Sequence, residues 1–334
     1  MTLYVADPKL PWRDGDGHIA EPSLRTPLGI LGGGQLARMT IEAASALGID
    51  VVVADLKPGS PASRVAAGEV VFPLGWDDEA AIVTLARRTP TITLESEFVD
   101  ASVLERLRAL GCDVWTSPES LRIVQDKLLQ KQALAAAAIA VAPFRAVEKP
   151  SDVVAFGREA GWPLLLKTRR DGYDGYGNTL VQEPDDAAKA CSALGWPARR
   201  LLAEAFVTFE RELAVIIVRG QDGEEVNYPV VETQQDPERH ICRVVLAPAP
   251  ILGEVAARTS EMAVMAVRAV GGVGTFGVEM FQLADGSVLV NELAPRPHNS
   301  GHYSIEACVT SQFANHMRAV LGLPLGDPAM RAPA

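Results

Sequence analysis

The sequence predicts a mixed α/β protein in which a parallel-sheet domain precedes modules of α+β type. Short apolar runs alternate with stretches of helical periodicity from Leu28 onward, which is typical of a parallel sheet. After Ser117 the pattern changes to separate strands, a glycine-rich loop and a β-hairpin, which indicates α+β modules. The length of 334 residues favours two or three domains.

Composition limits the classes of function. Hydrophobic residues make up 48% and charged residues 22%, so a sizeable core can form. No apolar run reaches the ~18 to 20 residues of a membrane span, so we expect a cytoplasmic protein with no membrane partner. The net charge of −11 argues against nucleic acid as a partner. The cysteines are scattered without zinc-site spacing and are expected to be reduced core thiols: Cys112, Cys191, Cys242 and Cys308.

The N-terminal part begins with an extension, residues 1–26, that is rich in Pro, Gly and Asp. A strand, turn, helix and strand unit follows, made of Leu28 to Leu31, Gly32 to Gly34, Gln35 to Leu47 and Val51 to Asp55. The alternation continues with a strand at 91–94 and a helix after Asp100, which predicts a Rossmann-like domain over residues 27–120.

The glycines of this unit also support a rival hypothesis. Gly32, Gly34 and Ala37 match the spacing of the dinucleotide fingerprint, and Asp55 follows the second strand. These residues would suit a nicotinamide-dependent oxidoreductase, but the pattern is short and also occurs in phosphate-binding relatives of the fold.

The remainder predicts two further modules. Ser117 as N-cap and Pro118 open a helix that is expected to run through Gln132 into an alanine-rich stretch. The elements expected after it are a strand at 162–167, a glycine-rich loop at 171–178, strands at 179–181, 201–204, 212–218 and 226–231, and a helix at 254–270. We expect one small module over residues 121–202 and a larger one over residues 203–334.

A β-hairpin brings two carboxylates together. Two apolar runs flank Asp285-Gly286, the favoured dipeptide of a two-residue turn. That turn pairs Glu279 directly with Glu292, with Cβ atoms ~5 Å apart. Like charges so placed need a cation between them, and paired carboxylates with phosphate oxygens suit Mg²⁺. A solvated acidic pair on the outer face of the hairpin is the alternative.

Two further features favour a site. The segment after the hairpin carries Arg296, His298 and Asn299 in a stretch stiffened by two prolines, and these side chains can donate to an oxyanion. Lys167 ends a buried strand just before the glycine-rich loop, whose backbone amides can turn toward phosphates. The loop can also close as a lid. A simple hairpin turn is the alternative for the loop.

These motifs together resemble N5-carboxyaminoimidazole ribonucleotide synthetase, a family of ATP-grasp ligases of purine biosynthesis. The resemblance covers residues 28–325 and rests on 291–302, 172–175, 32–36 and 311–313. It implies an ATP-grasp fold with a pre-ATP-grasp Rossmann-like domain, and a homodimer. It also implies ATP and Mg²⁺ as cofactors, with 5-aminoimidazole ribonucleotide and bicarbonate as substrates.

The resemblance also implies roles for residues. ATP is expected to contact Lys127, Lys167, Glu212, Gln235, Asn291 and Glu292, the adenine-holding Glu204, Ala205, Phe206 and Val207, and the lid residues Gly172, Tyr173, Asp174, Gly175, Tyr176, Gly177 and Asn178. The resemblance makes Glu279 and Glu292 the Mg²⁺ ligands. Arg296, His298 and Asn299 are expected to hold bicarbonate and its phosphorylated product. The expected ribonucleotide contacts are Gly34, Gln35, Glu95, Glu97, Tyr173 and Asp174.

The chain departs from the family pattern in the lid and at its end. Asp171, Tyr176 and Asn178 replace the usual glycine, basic residue and glutamine, and Arg169 and Arg170 are candidates to compensate for the lost cation. Other departures are Ser96, Phe98 and Gln235. The family's small C-terminal domain, which helps bind the ribonucleotide phosphate, is expected to be missing. Alternatives are another ATP-grasp ligase, such as biotin carboxylase, and a nucleotide-binding remnant without turnover.

Overall fold

The computed structural model describes residues 27–172, 176–236 and 241–334. The predicted extension over residues 1–26 and the predicted site residues Tyr173, Asp174 and Gly175 lie outside the described residues. No helix within the described ranges combines the length and the apolar composition that a bilayer span requires.

The described residues before 117 form a five-stranded parallel sheet, as the alternation predicts, with strand order β3-β2-β1-β4-β5. The strands are β1 Leu28–Leu31, β2 Val51–Asp55, β3 Gly68–Val71, β4 Thr91–Leu94 and β5 Asp113–Val114. The helices are α1 Gln35–Ala46, α2 Glu79–Arg88 and α3 Ala101–Ala109. Helix α1 follows β1 and helix α3 follows β4, so the strand order reverses between β1 and β4, where ligands bind in such sheets.

The single helix predicted after Ser117 is wrong. Ser117 caps a helix, α4 Pro118–Gln125, as expected, by accepting a hydrogen bond from the Ser120 amide. A second helix, α5 Lys127–Ala136, begins after a single intervening residue. Asp126 between them is extended, and its carboxylate accepts from the amides of Leu128 and Leu129. The chain breaks here because the aspartate caps the second helix rather than continuing the first.

Among the residues described between 144 and 205, four strands form an antiparallel sheet with order β6-β9-β7-β8. They are β6 Phe144–Val147, β7 Leu164–Thr168, β8 Asn178–Val181 and β9 Leu201–Ala205. Helices α6 Pro150–Ala160 and α7 Ala187–Ala193 pack against this sheet through a core that includes Val153, Phe156 and Cys191.

The described residues after 210 form a six-stranded antiparallel sheet with order β13-β12-β10-β14-β15, and β11 extends β10 on one side. Its strands are β10 Arg211–Arg219, β11 Glu225–Asn227, β12 Val231–Gln235, β13 Cys242–Leu246, β14 Gly274–Gln282 and β15 Val288–Ala294. The helices are α8 Gly253–Val270, α9 Ser304–Ala307 and α10 Gln312–Val320. The strand predicted over residues 226–231 is wrong: it divides into β11 and β12, and Pro229 between them has no amide hydrogen for a ladder.

The hairpin of β14 and β15 pairs Glu279 with Glu292, as predicted, but by a different route. The predicted two-residue turn is wrong, because Leu283 and Ser287 close a three-residue loop in which Gly286 has φ +77°. The strands therefore start one residue out of the expected register, with Gln282 opposite Val288. A bulge at Asn291 then restores the expected pairing, so two opposite shifts cancel at the glutamates.

Packing links the sheets in a way that positions the site. Val124 and Leu134 of the two helices after Ser117 share a core with Val267 of α8 and with the six-stranded sheet. At the other end of the chain, Met317 and Val320 of α10 belong to the core of the five-stranded sheet. The two helices after Ser117 therefore pack against the six-stranded sheet, and α10 packs against the five-stranded sheet.

Candidate functional site

A cavity of about 1090 Å³ lies between the four-stranded and six-stranded sheets. Most predicted site residues line it. These are Glu97, Lys127, Lys167, Gly172, Asn178, Glu204, Ala205, Phe206, Val207, Glu212, Gln235, Glu279, Asn291, Glu292, Arg296, His298 and Asn299. The volume lies just above the usual range of ~300–1,000 Å³ for small-molecule sites.

The two hairpin carboxylates carry partners inside the cavity. The Lys127 ammonium forms an ion pair with Glu292, and His298 Nε2 lies 3.2 Å from Glu279 Oε1. Burial acts to raise the pKa of Glu292, but the Lys127, Lys167 and Lys131 ammonium groups together outweigh it and hold the pKa below its ordinary value. Glu292 therefore stays ionised and presents negative charge to the cavity. Both glutamates line the cavity rather than an outer, solvated face.

A buried cluster of two lysines and a glutamate lies next to the hairpin carboxylates, and Lys167 and Glu204 of this cluster line the cavity. Glu204 Oε2 lies 3.1 Å from Lys167 Nζ and 3.5 Å from Lys131 Nζ, and these three side chains are less than a tenth exposed. Burial lowers the pKa of Lys131 to about 8, although Glu204 opposes the shift. Glu204 Oε1 has no hydrogen-bond partner among the described residues, which leaves a buried acceptor.

Sequence reasoning missed Lys131. It lies four residues after Lys127 in α5, so both lysines project from the same face of one helix. That spacing was the signal that could have found it, because a second lysine on a half-buried helix face needs a counter-charge.

Aromatic side chains form the far end of the cavity. Phe209 and Phe281 stack with ring centroids 4.6 Å apart and planes at 11°, and Phe206 lines the same end. Neither Phe209 nor Phe281 was predicted, although Phe281 shares a strand face with Glu279 at a spacing of two. Glu212 Oε2 accepts a 2.7 Å hydrogen bond from Gln235, and burial raises the pKa of Glu212.

The structure describes the glycine-rich loop on both sides of residues 173–175. Asn178 lies opposite Lys167 in the β7–β8 ladder. Gly177 has φ +81°, and a Cβ there would lie 2.5 Å from Thr168 Oγ1. Tyr176 is 69% exposed and, like Gly177, is not among the residues that line the cavity.

Arg169, a candidate to compensate for the lid cation, lines the large cavity. Its guanidinium is buried against Asp126, with Nε–Oδ1 and Nη2–Oδ2 distances of 2.9 and 2.6 Å. The neighbouring Arg170 lies 3.8 Å from Asp100, and both of these side chains are exposed.

A second cavity, of about 220 Å³, lies where the five-stranded sheet meets the six-stranded one. Gln35 and Glu95 line it from the first side, and Arg296 and Asn299 from the second. Arg296 also lines the large cavity and binds Glu97 through hydrogen bonds of 2.5 and 3.0 Å. Burial acts to raise the pKa of Glu97, but Arg296 outweighs it and lowers the pKa.

The glycines at the start of α1 enclose carboxylates of the protein itself. Glu95 accepts from the amides of Gly34 and Ala37 at 2.5 and 2.7 Å, and Asp55 accepts from Gly33 at 2.8 Å. Burial raises the pKa of Glu95. In a dinucleotide fold the helix N-terminus holds the pyrophosphate. Here Glu95 takes that position, which argues against the oxidoreductase hypothesis.

The Gln312 side chain fixes the backbone of the segment that carries Arg296, His298 and Asn299. The Gln312 side chain donates to the His298 carbonyl at 2.7 Å and accepts from the His298 amide at 2.9 Å. The imidazole lies over Gly277, where a Cβ would come within 2.5 Å of His298 Cγ. The arrangement fixes the ring beside Glu279.

Comparisons with known proteins agree with this geometry. A model of the ATP-grasp domain matches residues 132–313, and a model of the ribonucleotide synthetase preATP-grasp domain matches residues 25–125. The fold and the cavity between the two antiparallel sheets therefore define an ATP-grasp protein.

Individual relatives narrow the assignment. Phosphoribosylaminoimidazole carboxylase of Ogataea methanolica is 43% identical over 300 residues, which cover 89% of this chain and 54% of the relative. The chain thus spans about half the length of that curated relative. N5-carboxyaminoimidazole ribonucleotide synthase of Mycobacterium bovis is 38% identical over 322 residues, which cover 92% of this chain and 73% of the relative.

A solved structure supports the same assignment. N5-carboxyaminoimidazole synthase from Aspergillus clavatus, in complex with ADP and 5-aminoimidazole ribonucleotide, superposes with a TM-score of 0.83 at 38% identity. The match covers 92% of this chain and 80% of that one. The chain belongs to the N5-carboxyaminoimidazole ribonucleotide synthetase family.

Proposed function

We propose that the protein carboxylates 5-aminoimidazole ribonucleotide with bicarbonate, at the expense of ATP and with Mg²⁺, in purine biosynthesis. The observation that carries the proposal is the arrangement of Glu279, Glu292 and Lys127 in a cavity that Arg296 connects to a second one. ATP would occupy the large cavity and the ribonucleotide the small one, with Arg296 between them. The relative from Aspergillus clavatus binds ADP and the same ribonucleotide.

The residues of the cavity fit Mg²⁺. Glu279 and Glu292 are paired across the hairpin and would supply carboxylate oxygens as ligands, and the described residues contain no cluster of three or more His, Cys, Asp or Glu that could enclose a metal alone. Mg²⁺ commonly takes one or two protein carboxylates and completes its shell with phosphate oxygens and water. When bound, it would neutralise charge on the phosphates during transfer.

The lysines would hold the phosphates. Lys127 and Lys167 line the cavity, and Lys131 stands behind them against Glu204. Phosphoryl transfer needs positioning and charge stabilisation more than a covalent residue, so fixed ammonium groups are the useful contribution. Phe206, Phe209 and Phe281 would enclose the base, and Glu212 would accept from the ribose. The 172–178 loop would act as the lid.

The proposed reaction has two steps. A bicarbonate oxygen attacks the γ-phosphorus and ADP leaves, which forms carboxyphosphate. The amino nitrogen of the ribonucleotide then attacks the carboxyl carbon, phosphate leaves, and the nitrogen loses a proton. Arg296, His298 and Asn299 would hold bicarbonate and carboxyphosphate. Glu95 lines the small cavity, on the ribonucleotide side of Arg296, whereas Glu97, which binds Arg296, lines the large cavity. Excluding water protects carboxyphosphate between the steps.

The proposal extends to a homodimer in the cytoplasm. Light scattering of the purified chain would test the first part, and a monomeric mass would contradict it.

The test of the activity is ADP release from Mg-ATP and bicarbonate, with and without 5-aminoimidazole ribonucleotide. We expect release to rise with the ribonucleotide, to disappear in Glu292→Gln, and to persist in Glu261→Gln, which alters an exposed carboxylate of α8. ATP binding without release would instead indicate a nucleotide-binding remnant. Release that responds only to a different acceptor would indicate another ATP-grasp ligase.

A further inference from the structure

The His316 ring links strands from two different sheets. It lies in α10, is 2% exposed, and accepts a 3.1 Å hydrogen bond at Nδ1 from the Thr275 amide. Because Nδ1 is the acceptor, the ring proton is on Nε2, which lies 2.9 Å from Thr93 Oγ1 and donates to it. Gly274 lies against the ring, where a Cβ would be 3.1 Å from it.

The two threonines belong to strands that carry or directly precede carboxylates of the site. Thr93 is in β4, two residues before Glu95, which lines the small cavity. Thr275 is in β14, four residues before Glu279, so the two side chains share one face of the strand. The imidazole therefore fixes the end of one strand relative to the other, across the junction that the small cavity occupies.

The helix that carries the ring is well placed for this role. Met317 and Val320 on α10 pack into the core of the five-stranded sheet, while Gln312 at its start holds the backbone of His298. A displacement of β4 against β14 would alter the separation between Glu95 and Arg296, on opposite sides of the small cavity.

We propose that His316 is a positioning residue that aligns the ribonucleotide side of the site with the phosphate side, through its hydrogen bonds to Thr93 and Thr275. This inference rests on the proposed function. Its effect falls on use of the ribonucleotide and not on ATP binding, because the ring is not among the residues that line the large cavity. It bonds instead to β4, the strand that leads directly to Glu95 in the small cavity.

Two variants separate the hydrogen bonds. His316→Asn places an acceptor near Nδ1 and loses the bond to Thr93, whereas His316→Gln places a donor near Nε2 and loses the bond to Thr275. Thr93→Val removes the hydrogen bond between Thr93 and His316 by changing the threonine instead of the histidine. Thr259→Val is the matched control, because Thr259 is a fully buried threonine of α8 that bonds within its own helix.

We expect each His316 variant to raise KM for 5-aminoimidazole ribonucleotide tenfold or more and to raise the ADP released per ribonucleotide consumed above one. The dissociation constant for ATP should change less than twofold. Thr93→Val should reproduce His316→Asn, and the double variant should add little to either.

The controls distinguish two kinds of failure. If the wild type responds to the ribonucleotide but the His316 variants differ from it only in stability, as we expect for Thr259→Val, this proposal is overturned alone. If the wild type binds ATP and ignores the ribonucleotide, the proposed function fails and the positioning role fails with it.

Discussion

The Arg169 guanidinium donates two hydrogen bonds, of 2.9 and 2.6 Å, to the Asp126 carboxylate, and both residues are buried. Asp126 directly precedes Lys127, and Arg169 follows Lys167 by two residues. The Lys127 amide also donates to the Arg169 carbonyl at 2.9 Å. The ion pair therefore joins the two segments that bring the cavity's lysines together.

The first prediction concerns this ion pair. Asp126→Asn keeps a side chain that can cap α5 but removes the charge, so Arg169 is left buried without its counter-ion. We expect the free energy of unfolding, measured by urea denaturation, to fall by about 3 kcal/mol.

The matched control is Arg170→Ala, which removes the exposed 3.8 Å pair with Asp100. We expect it to change stability by less than about 1 kcal/mol, because exposed pairs contribute little. Equal effects of the two substitutions would contradict the assigned role of the buried pair.

The second prediction concerns Glu212 at the far end of the cavity. Glu212→Ala should raise KM for ATP roughly 10- to 100-fold with little change in kcat, since a hydrogen bond to a carboxylate contributes about 1.5–3 kcal/mol. Steady-state kinetics with 2′-deoxy-ATP and 3′-deoxy-ATP provide the check. One of these analogues should bind the wild type more weakly than ATP does, and the variant should no longer distinguish it from ATP. If the variant still binds the discriminated analogue more weakly than ATP, as the wild type does, the assignment of Glu212 to the ribose is contradicted.

The third prediction concerns Gly34 at the start of α1. Its φ of −76° suits any residue, so alanine would cause no backbone strain there. The added Cβ would instead lie 2.5 Å from Glu95 Oε1. We expect Gly34→Ala to displace Glu95 and raise KM for the ribonucleotide at least tenfold, measured by ribonucleotide-dependent ADP release.

Gly253→Ala is the control for that substitution, because a Cβ at Gly253 meets open space. It should leave the same KM unchanged. An unchanged KM in Gly34→Ala would show that Glu95 does not contribute to the ribonucleotide site.

The fourth prediction concerns acid stability. Burial lowers the pKa of His316 from 6.5 to about 4. Between these values the unfolded chain binds more protons than the folded chain, so stability falls as the pH drops through this window. The full effect is about 3 kcal/mol, most of it lost by pH 4.5.

Comparing urea unfolding at pH 7 and pH 4.5 checks this prediction. His316→Gln should be less stable than the wild type at pH 7 but lose about 2 to 3 kcal/mol less between the two pH values. If variant and wild type lose the same amount, the ring is not the group that titrates.

The sequence alone determined the features that depend on neighbours along the chain. Valines in a run predict β2 as a buried strand, and Ser117 before Pro118 predicts the start of α4. The pairing of Glu279 with Glu292 was also predictable, although an unpredicted bulge at Asn291 had to cancel an unpredicted three-residue turn. Local propensity and spacing decide such features because the interacting residues are already close in the chain.

Only the tertiary structure decided which charges meet. Arg296 and Glu97 are 199 residues apart, and His316 and Thr93 are 223 apart. Asp126 ended a helix that propensity would have continued, because its carboxylate caps α5 and also pairs with Arg169. A buried charge or ring nitrogen pairs with whichever group the fold brings near it, because leaving it unpaired costs more free energy than local conformational preferences contribute. The spacing of residues along the sequence does not predict these long-range pairings.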